Sequence, residues 1–264
     1  MNHLLRSLAP ITEDGWKLLD DEARARLAPA LAARRLVDFS GPHGWQHSAT
    51  NLGRTAPLAN PPAAGVSALQ RRVLPLVETR ADFELSLAEL RDGDRGADDV
   101  DLAPLDAAAH SIAVAENAAV FGGWGEAVGG ISAQTPHKRI PLGQAGTYAV
   151  SLARAVEVLL SSGIAGPYGL ALGGEQYRIA IESVEDGSLL LNHLREILDG
   201  PVVWAPGVEG GIVVSLRGGD FVFESGQDLS IGYASHDQDV VRLYLQESFS
   251  FHVATPEAAV ALEP

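Results

Sequence analysis

The sequence predicts an α+β fold from three patterns of apolar residues. From Val241 to Val253 apolar and polar side chains alternate, as in a strand with one buried and one wet face. The stretch 105–121 is rich in alanine, keeps helical spacing and stops at a Gly-Gly pair, which predicts a long helix. Between about 133 and 224 short strands alternate with helices, which predicts a compact unit inserted between segments of another domain.

A first helix is predicted near the start of the chain. Thr12 can cap its amino end, and Pro29 is expected to end or kink it. Its apolar positions recur at helical spacing and are Trp16, Leu19, Ala23 and Leu27. The following stretch, 34–39, is predicted to be extended, and 81–87 alternates like a second half-wet strand.

The strand from Val241 to Val253 has two features of its own. At about 13 residues it is more than twice the common strand length, and such a strand often completes its packing on a neighbouring subunit. Glu247 interrupts its apolar face, so we expect a bulge, a paired acid or an interface contact there.

The amino-acid composition argues against several classes of protein and partner. Of the 264 residues, 34 are acidic and 19 basic, which gives a formal charge of −15 and disfavours a nucleic-acid partner. Cysteine is absent, which excludes disulfides and thiolate metal sites and favours a cytoplasmic location. No apolar run of about 18 residues predicts a membrane span, and the first residues lack the pattern of a secretory signal.

The sequence contains no motif with catalytic or metal-binding spacing. His43 and His47 are four residues apart, but the glycine and proline around them argue against a helix that would pair them on a metal. The acidic run 92–101 lacks the oxygen ligand that a calcium loop needs at its fifth position, so we expect it to be solvated before the next helix. His236 and Asp239 lie in a predicted turn, which favours a solvent-exposed role. We therefore predict no catalytic residue and no metal site.

Short motifs along the whole chain share one resemblance. They include 217–221 (RGGDF), 226–233 (GQDLSIGY) and 241–244 (VRLY), and 33–38 (ARRLVD) near the other end. Through these motifs the chain resembles the encapsulin shell proteins of family 1, also called the linocin-type bacteriocin family. The resemblance extends in order over essentially all of the sequence.

The resemblance implies the fold of tailed-bacteriophage (Hong Kong 97-type) major capsid proteins, with a peripheral domain, an axial domain and an extended loop. It divides the chain into an N-terminal helix and the start of the peripheral domain, the extended loop, the peripheral domain with its spine helix, the axial domain, and a C-terminal return to the peripheral domain. The corresponding ranges are 1–49, 50–92, 93–132, 133–224 and 225–264. For the second range a local β-hairpin is an alternative.

The resemblance also implies a function. About 60 copies would assemble into a closed icosahedral cage of about 1.7 MDa, an encapsulin nanocompartment. The cage would enclose a cargo protein that carries a C-terminal targeting peptide, such as a dye-decolourising peroxidase or a ferritin-like protein, in an oxidative-stress or iron-storage role. Two alternatives remain: a prophage-derived capsid protein, which the negative charge disfavours, and a hydrolase-like α/β enzyme, for which no convergent polar site is visible.

By the same resemblance, an extended cargo tail with apolar residues and a basic one would bind between the first and last segments of the chain. The implied contacts are Leu31, Arg34, Leu36, Asp38, Leu229, Ile231 and Tyr233. The leucines, the isoleucine and the tyrosine would form the apolar floor, and Asp38 would take the basic residue of the tail. The alternative is that Arg34 and Asp38 form a structural ion pair above an ordinary core.

The resemblance places a second candidate site at the five-fold axis. There Glu182, Glu185 and Asp186 would line a pore, or would only solvate a turn between helices. Some members of the family bind a flavin through a tryptophan, and this chain has Ala88 at that position. We therefore expect no cofactor.

Overall fold

The computed structural model describes residues 3–185 and 187–264. Its helices are α1 (Glu13–Ala30), α2 (Leu87–Asp94), α3 (Ala103–Asn117), α4 (Ile131–Gln134), α5 (Tyr148–Ser161), α6 (Gly174–Glu182) and α7 (Leu190–Leu198). Its strands are β1 (Asp38–Ser40), β2 (Ala49–Leu58), β3 (Ala68–Pro75), β4 (Val77–Ser86), β5 (Ile140–Pro141), β6 (Tyr168–Leu172), β7 (Val184–Glu185), β8 (Ser188–Leu189), β9 (Val202–Trp204), β10 (Gly211–Ser215), β11 (Phe221–Ser225), β12 (Ser230–His236), β13 (Val240–Val253) and β14 (Ala259–Glu263).

The long strand β13 is the centre of the first sheet. It pairs antiparallel with β4 on one side and with β12 and β11 on the other, and β1 lies parallel to β11. Helix α3 packs on β4 and β13, and α1 packs on α3. Their apolar side chains form one core with those of the strands, and its fully buried members include Leu19, Leu105 and Val241.

The second sheet has the strand order β5-β14-β10-β6-β9. In it β14 and β6 run antiparallel to β10, while β5 and β9 are parallel to their neighbours. Helices α5, α6 and α7 pack on this sheet. Their side chains form the other core, which also takes in Phe223 and Phe249 from the first sheet.

Strand pairing differs from the predicted domain ranges at two points. We placed β11 in the unit 133–224, but it belongs to the first sheet, because its Phe221 and Phe223 pair with Val253 and Phe251 of β13. We placed β14 in the return to the peripheral domain, but it pairs with β10 in the second sheet, where four of its five residues are buried. The chain therefore crosses between the sheets once more than predicted.

The alternation predicted for β13 is confirmed, but its polar face is not wet. Gln246, Ser248 and Ser250 are each no more than 6% exposed. The hydroxyl groups are satisfied, because Ser250 bonds Thr50 at 2.6 Å and Ser248 accepts the backbone N–H of Gln227 at 2.9 Å. The segments that flank β13 therefore cover its polar face.

The start of the chain follows the prediction closely. Thr12 caps α1 by accepting the N–H of Gly15 at 3.0 Å, and Pro29 lies in the last turn. The prediction of an extended segment after α1 is wrong in part, because Ala33–Arg35 form a 3-10 turn before β1. From this turn the Arg34 side chain reaches Glu116 of α3 and Glu247 of β13.

Residues of the predicted extended loop fall into two parts. β2 and β3 form a two-stranded hairpin of mostly exposed residues, and β4 then enters the first sheet beside β13. Within 50–92 the hairpin is exposed, β4 belongs to the first sheet, and α2 begins at Leu87.

Among residues 3–185 and 187–264, none of the helices has the length and apolar character of a membrane span.

Candidate functional site

A groove of about 440 Å³ lies between α1 and the chain that enters β12, and we call it the α1–β12 groove. Helix α1 and Leu31, the residue directly after it, line the groove at spacings of three and four residues, so these side chains share one helical face. They are Asp20, Ala23, Arg24, Leu27, Ala28 and Leu31. The opposite wall consists of 228–231 and Leu245 of β13, and Arg6 and Arg34 also line the groove.

Arg34 joins the groove to the buried part of the first sheet. Its Nε donates to Glu116 at 2.8 Å and its Nη2 donates to Glu247 at 2.7 Å. Its Nη1 donates to Asp228 at 2.6 Å, and the Asp228 side chain is 44% exposed, so this carboxylate also faces the groove. The acid that interrupts β13 is thus a paired acid, one of the three outcomes we expected at Glu247.

The two buried carboxyl groups are unusual electrostatically, since Glu116 and Glu247 have almost no solvent exposure. Burial raises the pKa of Glu247 well above its usual range, and the neighbouring charge of Glu116 adds to this shift. Burial likewise raises the pKa of Glu116, although Arg34 opposes the shift. Arg34 therefore lies between two buried carboxyl groups whose pKa values are both raised by burial, that of Glu247 the more strongly.

The structure brings together four of the seven residues predicted to bind cargo. Leu31, Arg34, Leu229 and Ile231 all line the α1–β12 groove. Leu31 and Ile231 are almost fully buried, and Leu229 is partly exposed.

The other three predicted residues lie elsewhere. Leu36 and Asp38 line a separate cavity of about 240 Å³, where Leu36 is buried in the core of the second sheet. Asp38 does not pair with Arg34, because its Oδ2 accepts the N–H of Gly219 at 2.6 Å. Tyr233 packs partly on the first core, and its hydroxyl bonds His236 Nδ1 at 2.6 Å.

Sequence reasoning missed several residues of the groove. Asp20, Arg24 and Ala28 are wet in a simple helical projection, yet with Leu27 and Leu31 they form one stripe at helical spacing. Their helical spacing could therefore have identified them from the sequence. No sequence pattern could have identified Asp228, because its partner Arg34 is 194 residues away.

Two of the three predicted pore acids lie at the small hairpin of β7 and β8. Glu182 ends α6 and pairs with Arg178 at 2.5 Å, and Glu185 lies 3.1 Å from His193 Nδ1. The third acid, Asp186, lies outside the described residues. Both described acids therefore have a basic neighbour in their own chain.

The remaining candidate sites from the sequence are two histidines, a possible metal cluster and Ala88. Residues 3–185 and 187–264 contain no cluster of three or more His, Asp or Glu side chains arranged to hold a metal ion. His43 and His47 have rings 4.9 Å apart, and His47 bonds Glu224 at 2.6 Å. Ala88 is exposed in the first turn of α2.

Comparison with known proteins decides the family. Residues 1–250 match the Linocin_M18 family, described as "Encapsulating protein for peroxidase". The chain belongs to the encapsulin shell protein family. Proteins named type 1 encapsulin shell protein are similar to it over 99% of its length: that of Rhodospirillum rubrum is 45% identical over 96% of the relative, and that of Rhodococcus erythropolis 40% identical over 100%.

Solved structures agree on the fold. The virus-like particle protein of Pyrococcus furiosus superposes with a TM-score of 0.66 at 18% identity, covering 94% of this chain and 99% of that one. The capsid protein of an empty GTA particle gives a TM-score of 0.53 at 16% identity, covering 89% of both chains. The protein therefore has the predicted tailed-phage capsid fold. It is a structural shell protomer that assembles into a multimer, and its family is not one of enzymes.

Proposed function

We propose that this encapsulin forms a closed icosahedral shell of about 60 copies around a cargo enzyme, and that the C-terminal targeting peptide of the cargo binds in the α1–β12 groove. The observation that carries the proposal is the groove itself. It has an apolar floor, charged groups at its rim, and walls from the first and last parts of the chain.

The groove suits an extended peptide. Leu27, Leu31 and Ile231 supply an apolar floor for alternate side chains, as extended ligands require. Arg34 and Asp228 stand at the groove as donor and acceptor, so they can bond the carbonyl and N–H groups of a peptide and fix its direction.

Leu36 and Asp38 no longer belong in this binding site. Leu36 is buried in another core, and the carboxylate of Asp38 is engaged with Gly219 in a separate cavity. We therefore assign the basic residue of the tail to the acids of the groove and keep Leu31, Arg34, Leu229 and Ile231 as cargo contacts.

The cargo we propose is a dye-decolourising peroxidase or a ferritin-like protein. The family description names a peroxidase as the encapsulated protein, which supports the first. In either case the protomer would take part in oxidative-stress defence or iron storage through its cargo, in the cytoplasm, without a cofactor of its own.

The test is a charge placed in the groove. Ile231 is 2% exposed, so an aspartate there would threaten the fold itself, whereas Leu229 is partly exposed on the groove wall. We expect Leu229→Asp shells to assemble but to be empty, because a charge opposed to apolar tail side chains costs several kcal/mol. The readout is retention of a fluorescent reporter that ends in the C-terminal targeting tail of a dye-decolourising peroxidase.

The matched control is Ala234→Asp, which adds the same charge at an exposed position of β12 outside the groove. These shells should fill like the parent. Equal filling of Leu229→Asp and parent shells would show that the tail binds elsewhere.

We also propose that the β7–β8 hairpin faces an opening on the five-fold axis, where Glu182, Glu185 and Asp186 of five copies would lie together. Support comes from the exposed position of the hairpin at the end of α6. Such a ring would favour the passage of small cations over anions.

A further inference from the structure

One end of the α1–β12 groove is already occupied by the chain itself. Residues 3–8 precede α1, and we call them the strap; Arg6 of the strap lines the groove. Within the strap, Arg6 donates to Asp20 at 2.8 Å, and its guanidinium carbon lies 4.1 Å from the centre of the Trp16 ring. Trp16 and Asp20 are one turn apart on α1, so together they form a pocket wall for a cation.

The strap also takes part of the edge of β12. β12 is a terminal strand of its sheet, and the N–H of Tyr233 donates to the carbonyl oxygen of Leu4 at 2.9 Å. Backbone groups of an antiparallel strand alternate in direction, so the N–H of Ile231 points to the same edge as that of Tyr233. An extended peptide in the groove would add along this edge, and the strap stands at its end.

The strap is anchored at its start, where His3 stacks on Trp45 with ring centroids 4.1 Å apart, and is more loosely held from Leu5 to Leu8. None of the side chains at 6–8 is buried, and Leu5 and Leu8 are 41% and 62% exposed. The Arg6 and Asp20 side chains are 25% and 38% exposed, and ion pairs of this kind contribute little to stability. The strap can therefore leave the groove without unfolding α1, which has its own cap at Thr12.

We propose that Asp20 and Trp16 form the subsite for a basic side chain of the cargo peptide, and that Arg6 of the strap occupies this subsite until the peptide displaces it. The proposal rests on the proposed docking of cargo in this groove. It adds a specificity-determining pair of residues and an internal competitor for the same site.

The probe is a fluorescent protein that ends in the sequence of residues 3–9 (HLLRSLA), co-expressed with the shell. In parent shells the tethered strap competes at a high effective concentration, so retention should be low. In shells that lack residues 2–8 the subsite is open, and we expect about tenfold more reporter per shell. A reporter ending in HLLASLA should lose most of this gain, because it lacks the cation.

Two shell variants keep the test independent of the deletion. Arg6→Ala opens the subsite with the chain intact and should raise retention about fivefold, the upper range for one exposed ion pair. Adding Asp20→Asn to it should remove the gain, because the carboxylate is gone. Lys17→Ala is the matched control, since it removes a positive charge from an exposed pair on α1 outside the groove.

The outcomes separate this inference from the proposed function. If parent, strap-deleted and Arg6→Ala shells retain the HLLRSLA reporter equally, the strap does not compete and the inference is overturned. If a reporter with the cargo tail also fills parent and Leu229→Asp shells equally, docking in the groove fails as well. Gain on strap removal, lost again with Asp20→Asn, supports both.

Discussion

Arg34 lies where four segments of the chain meet. It follows α1 and bonds α3 through Glu116, β13 through Glu247 and the entry to β12 through Asp228. Its guanidinium also lies 5.3 Å from the ring of Phe223. A single side chain therefore connects the wall of the groove to the buried centre of the first sheet.

The pH dependence of stability should reveal the raised pKa of Glu247. Because the pKa of this group is raised in the folded chain, the unfolded chain releases its proton first as the pH rises above about 4.5. Stability then falls with rising pH until the folded pKa is reached. Glutamine is neutral at every pH. We therefore expect the free energy of unfolding of Glu247→Gln to exceed that of the parent by on the order of 1 kcal/mol or more at pH 8. At pH 4 the two proteins should be about equally stable.

Thermal unfolding of shells at equal protein concentration measures this, since assembly itself shifts the melting temperature. Glu78→Gln makes the same chemical change at an exposed position of the adjacent strand β4 and should leave the profile unchanged. Parallel pH profiles for Glu247→Gln and the parent would mean that Glu247 has the same pKa in the folded and unfolded chain.

At the scale of the element, the β2–β3 hairpin has no core of its own. Leu58 and Leu69 are 48% and 65% exposed, and Val66 and Val73 are similar. Two-stranded hairpins are marginal alone in water, and exposed apolar side chains on one element mark a contact surface. In a chain that assembles into a shell, a neighbouring copy is the partner that would cover them.

Leu69→Arg should therefore prevent assembly without unfolding the protomer. The side chain is mostly exposed in the single chain, so the protomer loses little, while an unpaired charge in a subunit contact costs several kcal/mol. Mass photometry should show the parent as a particle of about 1.7 MDa and the variant as small species. Gln70→Arg, next along the same exposed strand, is the control and should assemble. A full-sized Leu69→Arg particle would exclude this face from the contact.

Elements were predictable where local pattern decides them. The cap at Thr12 and the alternation of β13 follow from residues close in sequence. The helix predicted to stop at the Gly-Gly pair ends earlier as an α-helix, at Asn117, and continues as a π-helical turn over Ala118–Gly122. The burial of the polar face of β13 did not follow, since Thr50 and Gln227 cover it from other parts of the chain. The strap had no periodicity to predict it, and its contact with β12 joins residues more than 200 positions apart.

At the scale of the whole molecule, only the resemblance to a known family connected the two ends into one groove. Four of its seven implied cargo contacts line that groove, while Leu36, Asp38 and Tyr233 do not. Homologous motifs mark which segments meet, but the direction of each side chain depends on packing. Leu36 shows this, because it turns into the second core beside Gly169.

The charge of the assembled shell can be tested at its proposed opening. Arg178 and His193 are neighbours of Glu182 and Glu185, so we expect a moderate negative field at the β7–β8 hairpin. Glu185→Lys reverses one charge per copy. At low salt it should slow the entry of Co²⁺ about two- to tenfold and speed the entry of iodide, both followed as quenching of a fluorescent cargo.

The difference should vanish at about 1 M salt, where screening acts over roughly 3 Å. Glu196→Lys, an exposed acid further along α7, makes the same change in net charge and should leave both rates near those of the parent. Opposite effects on cation and anion distinguish a field at the opening from a change in its width, which would alter both rates in the same direction. Equal rates for parent and Glu185→Lys shells would place the route of ion entry away from this hairpin.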